Sequence, residues 1–235
     1  MRPPTPTPTS SPVPRSPAQE PPAPVPGART ASLTAVIAVL LLVTVAVDWS
    51  PLVSVDRTVA VELHESALAE PGFTRANRIL SDWVWDPWTM RAVVVAVVLA
   101  LLWRGKRLTA LWVAAVSLTG AAVQQALKAL VGRQRPVWVE PVDTAHYAAF
   151  PSGHAMTATV TCGLLLWLLA RSGAGPVLRR AAALLAAVSV LGVGFTRLYL
   201  GVHWLTDVLA GWLLGICLVA VAAGSYERLA LNRER

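Results

Sequence analysis

Three clusters of this chain hold residue types and spacings that can do chemistry. They are Lys128 with Arg135 and Pro136, the run Pro151-Ser152-Gly153-His154, and Arg197 with His203 and Asp207. Each lies at the end of an apolar segment. Counting segments puts all three ends on one side of a membrane. Three cations and two histidines gathered there make an anion site with a nucleophile and a proton donor, which is the equipment for cleaving a phosphate ester.

Lys128 precedes Arg135 by two helical turns, and Gly132 and Pro136 predict that the helix ends between them. A lysine and a planar arginine fork that reach one point can clamp phosphate oxygens. The alternative is a basic flank at a helix end, and Arg133 is read that way, or as a secondary head-group contact. Ser152 is a predicted N-cap, and Gly153 lets a ligand approach the backbone. The free N–H groups of that first turn favour an anion, with His154 beside it. An ordinary cap followed by an interfacial histidine is the plainer reading. His203 and Asp207, four apart, share a helical face. An aspartate so placed can accept a ring N–H and fix the tautomer, or it can act only on the helix N-terminal dipole.

The elements that must position these residues are membrane spans. The 235 residues are 55% apolar and 14% charged, and the apolar residues come in blocks, which predicts an all-α integral membrane bundle. The net charge of +7 is not arranged as a dense basic stripe, so nucleic acid is excluded as a partner. Cys162 and Cys217 fall inside apolar segments and imply neither a disulfide framework nor a zinc site.

Six spans are predicted at roughly 31–47, 88–103, 108–127, 154–170, 178–196 and 204–223. Between the first two, Val55, Val59, Leu63 and Leu68 predict an interfacial helix, and Trp83, Trp85 and Trp88 an aromatic belt. Residues 1–27 hold 11 of the 18 prolines. Residues 1–30 therefore read as a disordered Pro-rich cytoplasmic tail, 31–225 as the six-helix domain and 226–235 as a short cytoplasmic tail. With the N-terminus inside, the inner segments carry 12 of 20 cations against 3 of 13 acids. The positive-inside rule then predicts cytoplasmic termini and an extracytoplasmic site, in a bacterial-type inner membrane.

With Lys128-x6-Arg135-Pro136, Pro151-Ser152-Gly153-His154 and Thr196-Arg197-x5-His203-x3-Asp207 in this order, the chain resembles the type-2 phosphatidic acid phosphatase superfamily, which also includes the vanadium haloperoxidases. The family pattern is K-x6-RP, PSGH and SR-x5-H-x3-D. The one departure is Thr196 in place of Ser, which keeps the hydroxyl. The resemblance covers about residues 88–223.

The resemblance implies a lipid phosphatase with catalytic residues His203, His154 and Asp207. His203 is the nucleophile that forms a phosphohistidine, Asp207 holds its ring, and His154 is the general acid and then the base. Lys128, Arg135, Arg197, Ser152 and Gly153 bind the phosphoryl group. No metal and no cofactor are implied. The partners are the membrane and a lipid phosphate: undecaprenyl diphosphate, phosphatidic acid, phosphatidylglycerol phosphate or a prenyl-phosphosugar phosphate. Glu140, Asp143, His146 and Tyr147 read as a solvated polar loop, with head-group selection as the alternative. His64 is given no role, and the sequence sets no oligomeric state. A phosphotransferase with the same intermediate fits the same motifs. A non-enzymatic lipid-binding or transport protein on this scaffold would be expected to have lost catalytic residues, and both histidines and Asp207 are present.

Overall fold

The computed structural model describes residues 28–233. Among them there is no strand. The helices are α1 (Ala28–Ala46), α2 (Ser50–Ala69), α3 (Pro71–Ile79), a π-helical turn (Leu80–Val84), α4 (Pro87–Trp103), α5 (Arg107–Val131), α6 (Gly153–Arg171), α7 (Pro176–Tyr199) and α8 (Leu205–Arg233). Six stretches are long and apolar enough to cross a membrane: 28–46, 71–103, 107–131, 153–171, 176–199 and 205–230. They agree in number and order with the six spans read from the sequence, the second beginning at Pro71 rather than near 88, and the chain is a multi-pass helical membrane bundle. The Pro-rich residues 1–27 lie outside the described residues, while residues 28–30 open α1.

Several helices run past their apolar stretch. In hydrocarbon a helix satisfies its own backbone, so it continues as long as its polar ends can reach the interface or a protein interior. α5 thereby carries Lys128 in its last turn, and α8 runs on to Arg233.

α6 packs against α4, α5, α7 and α8, and α1 docks on α8. One end of the bundle is filled by Val94, Val113, Val116, Val160, Leu164 and Ala222. Large apolar side chains such as Leu33, Leu40, Leu99, Leu111, Leu184 and Leu185 point outward, as lipid-facing surfaces require. Lipid tails are as apolar as leucine, so helices gain by approaching closely over small residues. Gly211 and Gly215 of α8 do this against α6. A Cβ at Gly211 would stand 2.8 Å from the Ser152 carbonyl oxygen, and one at Gly215 2.7 Å from Thr159 Cβ.

The region before α4 departs from its sequence reading in detail. α2 is a helix as expected, but Val55 and Leu68 are exposed and its buried residues are Asp56, Ala60, His64 and Ala67. The inward face is small and polar because it packs on the polar end of the bundle. Trp83 and Trp88 are exposed beside the start of α4. Trp85 is not part of that outward band. Its ring fills the space over Gly192 of α7, where a Cβ would meet it at 2.3 Å. Asp86 caps α4 by accepting from the Trp88 N–H at 2.7 Å and the Thr89 N–H at 3.3 Å.

Candidate active site

The C-terminal ends of α5 and α7 meet the N-terminal ends of α6 and α8, and the polar residues of the chain collect there. α5 stops at Gly132, whose left-handed conformation (φ 60°) lets its N–H return to the Lys128 carbonyl at 3.1 Å. Lys128 is buried, and its Nζ donates to the Ala148 carbonyl. Arg135 follows in the loop. Its Nε donates to the Tyr147 carbonyl at 2.9 Å and one Nη to the His146 carbonyl at 3.2 Å. The other Nη reaches the Val202 carbonyl at 2.5 Å and His203 Nε2 at 3.1 Å.

The Phe150–Pro151 peptide is cis, and Ser152 is the N-cap of α6. Ser152 is fully buried, and its N–H donates to the Asp207 carbonyl at 2.9 Å. That bond ties the start of α6 to the first turn of α8. Gly153 lies against the Gln124 amide, and a Cβ there would stand 2.6 Å from Nε2, so a larger residue would push that side chain aside. His154 sits in the first turn of α6, with Arg197, His203, Arg135 and Lys128 close enough to act on it electrostatically.

Arg197, at the end of α7, is 4% exposed. One Nη donates to Ser81 Oγ at 2.7 Å, and Asp143 lies 3.9 Å away. Its Nε is buried and has no partner. Ser81 belongs to the π-helical turn, an irregularity often found at functional positions. Thr196, in the usual serine position, bonds its own helix at the Val193 carbonyl, 2.9 Å away.

The turn into α8 is set by Gly201 (φ +66°) and the Trp138 indole, which donates to the Gly201 carbonyl at 2.8 Å. His64 stacks on Trp138, with ring centroids 3.9 Å apart, so it supports this turn from α2. Burial lowers the His64 pKa despite the nearby Glu140, which leaves a neutral ring suited to stacking.

α8 opens with a reciprocal cap in which Asp207 Oδ2 accepts the Trp204 N–H at 2.9 Å. The same oxygen lies 3.2 Å from His203 Nδ1. A carboxylate only accepts and a guanidinium only donates. The His203 proton is therefore on Nδ1, and the Nε2 lone pair faces Arg135. Burial, then the charges of Arg135, Arg197 and Lys128, push the His203 pKa well below its ordinary value. The ring is thus a neutral imidazole with its lone pair turned toward Arg135 and with Arg197 and Lys128 nearby.

Arg133 is neither a snorkelling flank nor a head-group contact. One Nη bonds Asp207 Oδ1 at 2.6 Å and Thr206 Oγ1 at 2.7 Å, and the other bonds Asp56 Oδ2 at 2.7 Å. Burial alone would lower its pKa, but Asp207 and Asp56 outweigh that and raise it. Burial lowers the Arg135 pKa, opposed by Asp207 and Asp143. Among the loop residues, Asp143 lies against Arg197, and His146 and Tyr147 contribute carbonyls to Arg135. Among the described residues no group of three or more His, Cys, Asp or Glu is arranged to hold a metal ion.

The structure thus brings Lys128, Arg135, Ser152, Gly153, His154, Arg197, His203 and Asp207 to one end of the bundle. Sequence reasoning missed Asp56, Ser81 and Thr206. The available signal for Asp56 was its helical spacing from Ala60, His64 and Ala67, and nothing local marks Ser81.

Known proteins share sequence or fold with this chain. A Bacillus subtilis phosphatidylglycerophosphatase B is 32% identical over 120 residues, which is 50% of this chain and 58% of that protein. An uncharacterised 22.5 kDa protein of the Klebsiella pneumoniae cps region is 33% identical over 143 residues, 60% of this chain and 62% of its own length. A Sulfolobus acidocaldarius undecaprenyl-diphosphatase is 32% identical over 84 residues, 33% of this chain and 32% of that protein. The alignments therefore span less than two thirds of each relative. A crystal structure described as a transmembrane PAP2-type phosphatidylglycerolphosphate phosphatase from Bacillus subtilis shares the fold. Its TM-score is 0.75 at 23% identity, over 85% of this chain and 96% of that one. The PAP2 superfamily profile matches residues 109–230, more than half of the chain and all three motifs, and the chain belongs to that superfamily.

Proposed function

We propose that this protein is a lipid phosphatase that hydrolyses a lipid phosphate or diphosphate through a phosphohistidine. The observation that carries the reading is His203, buried and neutral, with Nδ1 toward Asp207 and Nε2 toward the guanidinium of Arg135. A phosphoryl group binds Lys128, Arg135 and Arg197, together with Ser152 and the Gly153 N–H at the start of α6. It displaces the loop carbonyls that now take the donors of Lys128 and Arg135, and it gives the unpaired Arg197 Nε an acceptor.

His203 Nε2 then attacks phosphorus as the bond to the lipid oxygen breaks. His154, protonated, gives its proton to that oxygen, and the lipid alcohol or lipid monophosphate leaves. Asp207 offsets the positive charge that develops on His203. Neutral His154 next takes a proton from water, and the hydroxide attacks the phosphohistidine. Inorganic phosphate leaves and His203 is restored. The negative charge that spreads over the phosphoryl oxygens meets three fixed cations, so electrostatic stabilisation is the main catalytic term and no metal is needed.

The substrate class follows from a polar site at the end of an apolar bundle, where a head group can enter while the tail stays in lipid. Undecaprenyl diphosphate, phosphatidic acid, phosphatidylglycerol phosphate and a prenyl-phosphosugar phosphate are the candidates. We place the site on the extracytoplasmic face of an inner membrane with both termini inside, because the inner loops then carry the excess of arginine and lysine. The test is phosphate release by the detergent-purified protein from these lipids, with chelator and no added metal. Release from one preferred lipid supports the reading. Release only with an added acceptor would make the protein a transferase, and no release from any of them would overturn the proposal.

The neutral state of His203 sets a pH dependence. Its folded pKa lies well below the unfolded value near 6.5. Between those values the unfolded ring binds a proton that the folded ring refuses. The folded state therefore has the full benefit of the neutral ring above about pH 6.5 and loses it as pH falls toward the folded pKa. Over the same window the nucleophile stays unprotonated. We expect kcat not to fall between neutral pH and about pH 5.5, since His203 stays unprotonated and acid only favours the protonated form of the donor His154. A kcat that titrates away with an apparent pKa near 6.5 would contradict this state of His203.

A further inference from the structure

Asp56 is 1% exposed and comes from α2, upstream of the residues that match the family. Its Oδ1 accepts the Thr206 N–H at 2.9 Å. Its Oδ2 accepts from the Thr206 hydroxyl at 2.6 Å and from Arg133 at 2.7 Å. Arg133 donates in turn to that hydroxyl and to Asp207 Oδ1. The result is a closed ring, Arg133 to Thr206 to Asp56 and back to Arg133, with Asp207 hanging from it by one oxygen. The other Asp207 oxygen holds the Trp204 N–H and faces His203 Nδ1.

This arrangement is a poor device for stability alone. A buried ion network costs desolvation that apolar packing would not. Docking alone would be served by Ala60, Leu63 and Ala67, which face inward, yet α2 buries Asp56 on that face while Val55 and Leu68 stay exposed. What the ring does is fix the plane of the Asp207 carboxylate. Arg133 holds Oδ1 on one side, so Oδ2 can point only at Trp204 N–H and His203. Asp56 holds Arg133 in that pose and also binds the backbone of the residue next to Asp207. With one guanidinium shared between two carboxylates, the Asp207 charge is only partly neutralised and is still available to the ring of His203.

We propose that Asp56 is a positioning residue, which acts through Arg133 and Thr206 to aim Asp207 and thereby fixes the tautomer and direction of His203. This rests on the reading of His203 and Asp207 as the reacting pair. In Asp56→Asn the amide nitrogen replaces one carboxylate oxygen. Toward Arg133 and the Thr206 hydroxyl it opens the ring, and toward the Thr206 N–H it breaks that cap. Either way the charge that holds Arg133 is lost while the volume is kept.

Two measurements test the proposal. In the first, Asp56→Asn is made alone and in an Asp207→Asn background. The expected kcat loss for Asp56→Asn alone is about 10- to 100-fold, with KM within about threefold, as for other outer partners that orient a reacting group. In the Asp207→Asn background the added loss is expected to be less than about twofold, because the route of action is already cut. Equal losses in both backgrounds would overturn the proposal. The second needs no substrate. In 15N-histidine spectra of the detergent-solubilised full chain, the wild type is expected to give a single His203 signal protonated at Nδ1, and Asp56→Asn a tautomer mixture. An unchanged single tautomer would overturn it. If Asp56→Asn does not fold, Thr206→Ala breaks the same ring without unpairing a charge and is expected to move both readouts in the same direction. A wild type that releases no phosphate would sink the phosphatase reading, and the spectra would still decide the positioning role.

Discussion

His203→Ala is expected to lower phosphate release by about 10⁴-fold or more, to the level left by binding and charge stabilisation alone. The imidazole is the group that attacks phosphorus in this account, and the second imidazole of the site is assigned to proton transfer. His154 sits on α6 as the proton donor, and the lysine and arginines are cations. The ring is almost fully buried, so its loss also leaves a cavity. His203→Gln, which keeps most of the volume, should therefore be equally inactive yet elute from size exclusion as the wild type does. The check is initial-rate phosphate release on matched amounts of folded protein. Activity within about tenfold of wild type in either variant would remove His203 as the nucleophile.

The largest effect on stability is expected at Arg133. Asp56 and Asp207, 1% and 0% exposed, are both paired with this one side chain. Arg133→Ala leaves two buried carboxylates facing an empty space, each of which still accepts one N–H at the start of α8. Breaking a buried pair by removing one partner costs about 3–5 kcal/mol, several times what an exposed pair is worth. Thermal unfolding in detergent should show a clear fall in Tm, larger than that for Arg135→Ala. Arg135 donates mostly to loop carbonyls, which can turn to water when it is removed. A Tm for Arg133→Ala equal to wild type would mean that the Asp56–Arg133–Asp207 bridge does not carry load in the membrane-embedded fold.

The contrast between these two arginines shows what can be read from the sequence. Lys128, Arg135, Ser152, Gly153, His154, Arg197, His203 and Asp207 stand in short local patterns at helix ends. Helix periodicity and span counting were enough to place those ends together. The spans themselves were legible because continuous apolar blocks have few other fates. Arg133 looked like a flank because basic residues near helix ends usually reach for the interface. The acids that capture it are 77 and 74 residues away in the chain, and no local pattern announces such a pairing. The same holds for Ser81 on Arg197, 116 residues apart, and for Asp56 on Thr206, 150 residues apart.

α2 misled for a different reason. Its apolar spacing was real, but it does not mark one face: Val55 and Leu68 are exposed, while Leu63 packs on the cluster of Ala155, Leu198 and Val208. In a membrane bundle the inward face is chosen by what it must meet, and here it meets the polar end that holds Asp207. His64 was passed over on the same grounds. It stacks on Trp138, which fixes the Gly201 turn just before His203.

The central claim is that phosphate passes through His203. Rapid mixing of the detergent-purified protein with a 32P-labelled form of its preferred lipid phosphate, followed by an alkaline quench, tests it most directly. The account predicts a protein-bound label that is stable in base, lost in acid, kinetically competent for turnover, mapped to the peptide containing His203 and missing in His203→Ala. Turnover with no trapped label, or a label that persists in His203→Ala, would contradict it.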